Sequence, residues 1–456
     1  MGSHEMITES DGAGDAVSAR PGSDFRVAFA VVAVAFVLIC VYSYHVQHVI
    51  VTRFGDADEY FFEAEQIAAG QTIRAETPYM YRIALPWLVA HTFPQQIEFG
   101  FRLYNTIAAA AGTLLLLLWL RRFGVHAGVA ALTTILYTAE WISPSRFIWF
   151  APITCDPPFI ALSMAALLVA DGLRRQFSWP RALGLTAICA VGGAVRETML
   201  FAPIAFLFAN VTFDRTSPPP RVPLTARLLP VVATAVVVTL CHFIPAEPRR
   251  QLSAWDNLFY LYHRKALFAL PLSLYMTFGP IIAVVLYDWR AARDLLARHI
   301  YLVVFFGWCF LTSYIGGSDT ERFVIWGAPV MYLLVAKALE RHAGALLRSA
   351  WVFVALVAAQ ALSSHILFAY PNPNTAVAEW SSLTTVGEKI WGAINRLFVV
   401  DDFYWNLWSY FGSKPFHALS LAIYIAFSLG LVLYLRRTER MHPELMRVGG
   451  LIPSPM

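Results

Sequence analysis

"VAFAVVAVAFVLICVYSYHV", residues 27–46, runs for twenty residues without a charged side chain. About 20 such residues are what a helix needs to cross the hydrocarbon core of a bilayer. No water is present there to satisfy exposed backbone groups, so a lone spanning segment of this kind has to be helical. The rest of the 456-residue chain has the same character. Hydrophobic residues make up 58% and charged residues 14%, against roughly 25% charged in a soluble protein, and mean hydropathy is +0.56. Neither a soluble domain, an internal repeat nor a basic patch for nucleic acid stands out. The expected fold class is all-α, a polytopic transmembrane helical bundle.

Working outward from residues 27–46, further apolar segments lie near 101–120, 126–143, 147–170, 181–195, 198–212, 228–245, 266–287, 299–315, 323–338, 349–369 and 416–435. They predict about twelve crossings with both termini on one side. Short basic stretches such as "RRFG" (121–124), "LRRQFSWPR" (173–181), "RAARDLLAR" (290–298) and "LRRTER" (435–440) put that side in the cytoplasm of an inner-membrane protein. Residues 180–212 read as two short crossings folded at "VRET". The resulting organisation is a disordered cytoplasmic start (1–25), a first membrane module (26–245), a second (246–436) and a cytoplasmic tail (437–456). Two long exterior loops are expected, 46–100 and 370–415. Within the first, 58–69 and 79–93 read as amphipathic helices lying on the membrane surface.

Directly after the opening segment comes "GDADEYFFEAEQ", residues 55–66, with five carboxylates. Asp56 stands three residues before Glu59, the spacing of a capping box. A carboxylate at an interfacial pocket is equally suited to act as a general base for a hydroxyl. Glu63 and Glu65 read as a solvated helix face. The predicted topology gathers Asp56, Asp58, Asp156, Arg196, Glu197, Asp319, Glu321 and Arg322 at exterior helix ends. Ionisable residues there are functional candidates by default, with structural ion pairing as the plain alternative. His242 and His365 read as interhelical residues. The pairs Arg249/Arg250 and Arg264/Lys265 suit lipid headgroups. The five cysteines are scattered and suggest neither a disulfide framework nor a metal site.

The placement of "GDADEY", followed by "PYMYRIALPWLV" with its Tyr81-Arg82-x-x-x-Pro86 arrangement, resembles the glycosyltransferase-C superfamily. "CDPP" (155–158), "GGAVRET" (192–198) and "GGSDTERF" (316–323) are similar to its later exterior clusters. The resemblance implies a multi-pass enzyme that takes a sugar from a polyprenyl phosphate on the exoplasmic face and passes it to a glycan, lipid or protein acceptor. It implies a catalytic base at Asp56 or Asp58. Donor and acceptor contacts would come from Asp156, Arg196, Glu197, Asp319, Glu321, Arg322, Tyr81 and Arg82. No cofactor is implied, although Asp56, Asp58 and Asp156 together are ligands of the kind a hard cation takes. A large C-terminal periplasmic domain of the oligosaccharyltransferase kind is missing from the sequence. A transporter, or a lipid-linked glycan polymerase or ligase, is the rival reading.

Overall fold

The computed structural model describes residues 21–46, 56–214, 221–248, 265–316, 320–366 and 414–443, with 385–387, 389–390 and 409. Among these residues the fold is all helical, apart from one isolated bridge between Ile73 and Ala246. The first half contains α1 (Pro21–Val46), α2 (Asp56–Ala68), α3 (Ala84–Thr92), α4 (Ile97–Arg122), α5 (Ala127–Ala139), α6 (Pro144–Phe150), α7 (Asp156–Arg175), α8 (Trp179–Val195), α9 (Phe201–Leu207) and α10 (Leu224–Cys241). The second half contains α11 (Ala269–Phe278), α12 (Ile282–Tyr287), α13 (Trp289–Arg298), α14 (Ile300–Ile315), α15 (Thr320–Val324), α16 (Ala328–Arg348), α17 (Ala350–Ser363) and α18 (Lys414–Met441).

Each expected apolar segment carries helix, but the lengths differ. Among the described residues, six helices are long and apolar enough to cross a membrane: α1, α4, α7, α10, α18 and the run Thr320–Arg348. There are seven if α13 and α14, which meet at 109°, count as one broken span. The other segments fall on shorter helices, for reasons visible in the sequence. Residues 266–287 are interrupted at Gly279-Pro280, where Gly279 has φ 72°, a conformation that suits glycine. Residues 147–170 divide between α6 and α7 at the loop before Asp156. Residues 180–212 break as expected, with α8 ending at Val195 and a 3-10 turn over Glu197–Leu200 leading into α9. α1 starts at Pro21, inside the stretch expected to be disordered, while residues 1–20 lie outside the described set, as does most of 370–415.

The outer faces of α1 and α10 are lined with exposed valine and leucine, and the core lies among α4, α7, α8, α11 and α16. α7 packs on α4 and α8, and α8 packs on α10. Gly193 allows the approach of α8 to α10, and Gly192 makes room for the 3-10 turn that follows α8. A Cβ at Gly193 would stand 2.9 Å from Thr234 Cγ2 of α10, and one at Gly192 would stand 2.7 Å from Met199 Sδ. Small residues at such positions are how packed membrane helices bring their backbones together.

α7 has a polar cluster at each end. Asp156 opens it, while Asp171 near its close binds Arg122 and Arg175. Fifteen positions separate Asp156 from Asp171 along this helix, so the two clusters lie about 22 Å apart along the bundle. The surface loop after α1 is docked at the Asp156 end. Glu247 donates its N–H to the Ile73 carbonyl at 2.8 Å, and the Tyr81 ring stacks on His242 at 3.8 Å.

Candidate active site

"CDPP" is a helix start. Pro157 and Pro158 occupy the first turn of α7, where the missing N–H groups have no intrahelical acceptor to lose. Asp156 therefore sits at the positive end of the helix dipole. Thr154 accepts the Asp156 N–H through Oγ1 at 3.3 Å and donates to Asp156 Oδ2 at 3.2 Å. The preceding loop is held from α4 by buried Asn105, which donates to the carbonyls of Pro152 at 2.7 Å and Thr154 at 2.9 Å.

Two guanidiniums converge on this carboxylate. Arg196, in extended backbone just past α8, donates through Nη1 to Asp156 Oδ1 and lies 4.7 Å from the centre of the Trp326 ring. Arg322, from α15, donates to Asp156 Oδ2 through Nε at 2.9 Å and Nη2 at 2.7 Å. Its remaining nitrogen, Nη1, reaches Asp56 Oδ2 at 3.1 Å. The other Asp56 oxygen accepts the Tyr79 hydroxyl at 2.6 Å. Burial pushes the Asp56 carboxyl up, but the Arg322 charge, the Tyr79 hydrogen bond and the charges of Arg82 and Arg196 more than offset this. The net result is a carboxyl below the usual carboxylate range.

Beside this chain lies a second pair. Arg82 grips Glu197 with two parallel hydrogen bonds, Nε to Oε2 at 2.9 Å and Nη2 to Oε1 at 2.5 Å, and donates through Nη1 to the Tyr60 hydroxyl at 2.8 Å. This fork geometry is specific to arginine. Burial opposes ionisation of Glu197, yet Arg82 and, further off, Arg196 hold it down at about 2. Segments distant in sequence thus meet at one end of the bundle: α2, the 79–82 turn, the start of α7, the end of α8 and α15.

Of the residues predicted from sequence, Asp56, Asp156, Arg82, Arg196, Glu197 and Arg322 are brought together. Asp58 is half-buried in the first turn of α2 and makes no hydrogen bond or ion pair among the described residues. Tyr81 stands apart from the cluster, against His242. Glu321 is buried and turns away from its neighbour Arg322 to accept the Ser409 N–H at 3.0 Å. Asp319 lies outside the described residues, as do Arg249, Arg250 and Arg264. Lys265 is buried and donates to the Ser313 carbonyl at 2.5 Å.

Two local expectations are corrected. Glu59 does not serve Asp56 as a simple capping partner: its carboxylate accepts the Glu76 N–H at 2.7 Å and ties α2 to the following loop. Glu63 is not on a solvated face. It is completely buried, and neither oxygen has a hydrogen-bond partner among the described residues. Burial raises its pKa well above the carboxylate range, against the lowering effect of Arg82. The helical spacing explains both, because Glu59, Tyr60 and Glu63 share the inward face of α2. Tyr79, Tyr60, Asn105 and Trp326 were not singled out from sequence. Tyr79 stands in the same "PYMYR" as Tyr81, and the 3-10 turn over Tyr79–Tyr81 decides which tyrosine faces inward.

A small cavity opens onto the cluster. Asp156 and Arg322 form its polar edge, and Ile142, Pro144, Phe147, Pro157, Ile160 and Ile325 its apolar wall. Among the described residues no group of three or more His, Cys, Asp or Glu side chains is arranged to hold a metal ion.

Solved structures share this fold. ArnT from Cupriavidus metallidurans, bound to undecaprenyl phosphate, aligns with 92% of this chain and 78% of its own at 19% identity, with a TM-score of 0.54. The same protein in its apo state aligns over 93% and 78%, at 18% identity and a TM-score of 0.49. No protein-family model matches the chain, and no curated protein matches it.

Proposed function

We propose that this protein is an integral membrane glycosyltransferase. It moves a sugar from a polyprenyl-phosphate donor to an acceptor hydroxyl on the exoplasmic face, with inversion and with Asp56 as the base. The observation that carries the reading is the chain Asp56–Arg322–Asp156–Arg196, a carboxylate and a guanidinium in direct contact at the edge of an apolar cavity. The ArnT structure with undecaprenyl phosphate supports a lipid phosphate of that class as the ligand.

In this mechanism the donor's prenyl chain follows the apolar wall toward Phe147 and Ile160, and its phosphate meets Arg322. The acceptor oxygen attacks the anomeric carbon from the face opposite the phosphate, and its proton passes to Asp56. The carbon–oxygen bond to phosphate breaks with its electron pair, releasing polyprenyl phosphate. Charge grows on that phosphate as the bond breaks, which is where a preformed cation lowers the barrier. Asp156 and Arg196 fix the Arg322 guanidinium, so little reorganisation is needed at the moment of reaction.

The test is purified protein incubated with radiolabelled polyprenyl-phosphate sugars and membrane-lipid and glycan acceptors. Sugar transfer with release of polyprenyl phosphate is expected. Movement of intact donor or free sugar across a vesicle membrane, with no bond cleavage, would replace this reading with that of a transporter.

A further inference from the structure

The cluster contains three arginines, Arg82, Arg196 and Arg322, and three carboxylates, Asp56, Asp156 and Glu197, so its formal charges cancel. All three nitrogens of Arg322 are engaged by carboxylates. Each arginine of the cluster already has a carboxylate partner, so an arriving anion competes with an existing contact. The contacts are unequal. Asp156 holds Arg322 through two nitrogens at 2.9 and 2.7 Å, whereas Asp56 holds it through one at 3.1 Å. Asp156 also keeps Arg196. Among the described carboxylate contacts, the weakest to exchange is Arg322 Nη1 with Asp56.

Resting on the reading above, we infer that donor binding switches on the base: the donor phosphate takes Arg322 Nη1 from Asp56, unmasking a carboxylate that Tyr79 continues to hold in place. In the empty site Asp56 is an ionised carboxylate whose basicity Arg322 suppresses. With the donor bound it loses that partner and gains an anion nearby. Both changes favour its protonated form, so the carboxylate becomes a stronger base when there is a sugar to transfer. The groups that face Asp56 are Arg322 from α15, Tyr79 and Arg82 from the surface loop, Arg196 from the end of α8 and Tyr60 from its own helix. Asp156 lies across Arg322. Of these, Arg322 is the cation in direct contact with Asp56, and that contact is the one exchanged.

The experiment uses the full chain in detergent and methyl farnesyl phosphate, a prenyl phosphodiester with one negative charge throughout the range studied. Titration calorimetry is run from about pH 4 to pH 7 in buffers of different ionisation enthalpy, which reports protons taken up on binding. Wild type is expected to take up protons at the acidic end and to bind the probe more tightly as pH falls. The gain is about tenfold for each unit by which the probe raises the Asp56 pKa. Asp56→Asn is expected to bind at least as tightly as wild type, with no proton uptake and a flat pH profile. Binding to wild type without proton uptake overturns the switch and leaves the donor reading standing. Uptake retained in Asp56→Asn also overturns it, because the protons then go elsewhere. Failure of wild type to bind the probe overturns the donor reading, and the switch with it.

Discussion

The sequence offers Asp56 and Asp58 as the base and favours Asp56, which follows Gly55 where the chain leaves its first helix; in the structure the two differ in their partners. Asp56 touches Tyr79 and Arg322, while Asp58 has neither. Asp56→Asn is expected to lower turnover by about a hundred- to ten-thousand-fold, the usual cost of losing a general base. Asp58→Asn is expected to remain close to wild type in the same transfer assay. Full activity in Asp56→Asn would remove the base. Tyr79→Phe tests the environment of the same carboxylate. The hydroxyl stabilises the ionised form of Asp56, so its loss raises the pKa, and the acid limb of the turnover profile moves to higher pH. A limb that stays in place would mean that some other group controls it. The sequence points to Tyr81 through its Tyr81-Arg82-x-x-x-Pro86 arrangement, whereas the inward placement of Tyr79 depends on a 3-10 turn that this arrangement does not encode.

Elements set the site by their ends rather than their middles, and this decides what could be read. "GGAVRET" was legible as a break because an arginine and a glutamate interrupt an apolar run. The reason for the two glycines was not legible, since it depends on Thr234 and Met199 arriving from elsewhere. Gly193→Leu is expected to force α8 away from α10, lowering thermal stability and transfer activity together; unchanged melting in detergent would show that the interface yields without harm. The Arg82–Glu197 pair joins the surface loop to the end of α8. Glu197 has its pKa depressed to about 2, so its ionised form contributes stability above the ordinary carboxylate range, and that contribution is lost as pH falls toward 2. Glu197→Gln is therefore expected to lower the melting temperature near neutral pH and to narrow its gap from wild type as the medium becomes acidic. A gap independent of pH would assign the effect to packing. Buried arginine left without its carboxylate typically costs several kcal/mol, and partial exposure of Glu197 reduces this.

For the whole molecule, hydropathy carried the fold class, because it is a sum over many residues, and the basic loops give an orientation by the same kind of sum, which labelling can test. The number of crossings was less legible. Proline and glycine divide apolar segments into helices shorter than a bilayer, and a hydropathy window reads across such breaks. The orientation predicts that Arg221 and Glu247, at opposite ends of α10, face opposite sides of the membrane. Single cysteines at these positions, in a background with the five buried cysteines replaced, are expected to react with an impermeant thiol reagent from opposite faces. Labelling of both from one face would overturn the shared exterior placement of the site.

Arg322 and Asp56 are separated by 266 positions along the chain. At ordinary rates of protein synthesis, about 5–20 residues per second, the ribosome takes on the order of tens of seconds to go from one to the other. Throughout that interval the early acids stand at the membrane surface without their principal cation. The first helices must therefore insert and wait, and the surface loop must remain open until α8 and α15 have been delivered. Assembly of the site is a late event in biogenesis, and a chain released before α15 would carry Asp56 and Asp156 without the residue that joins them.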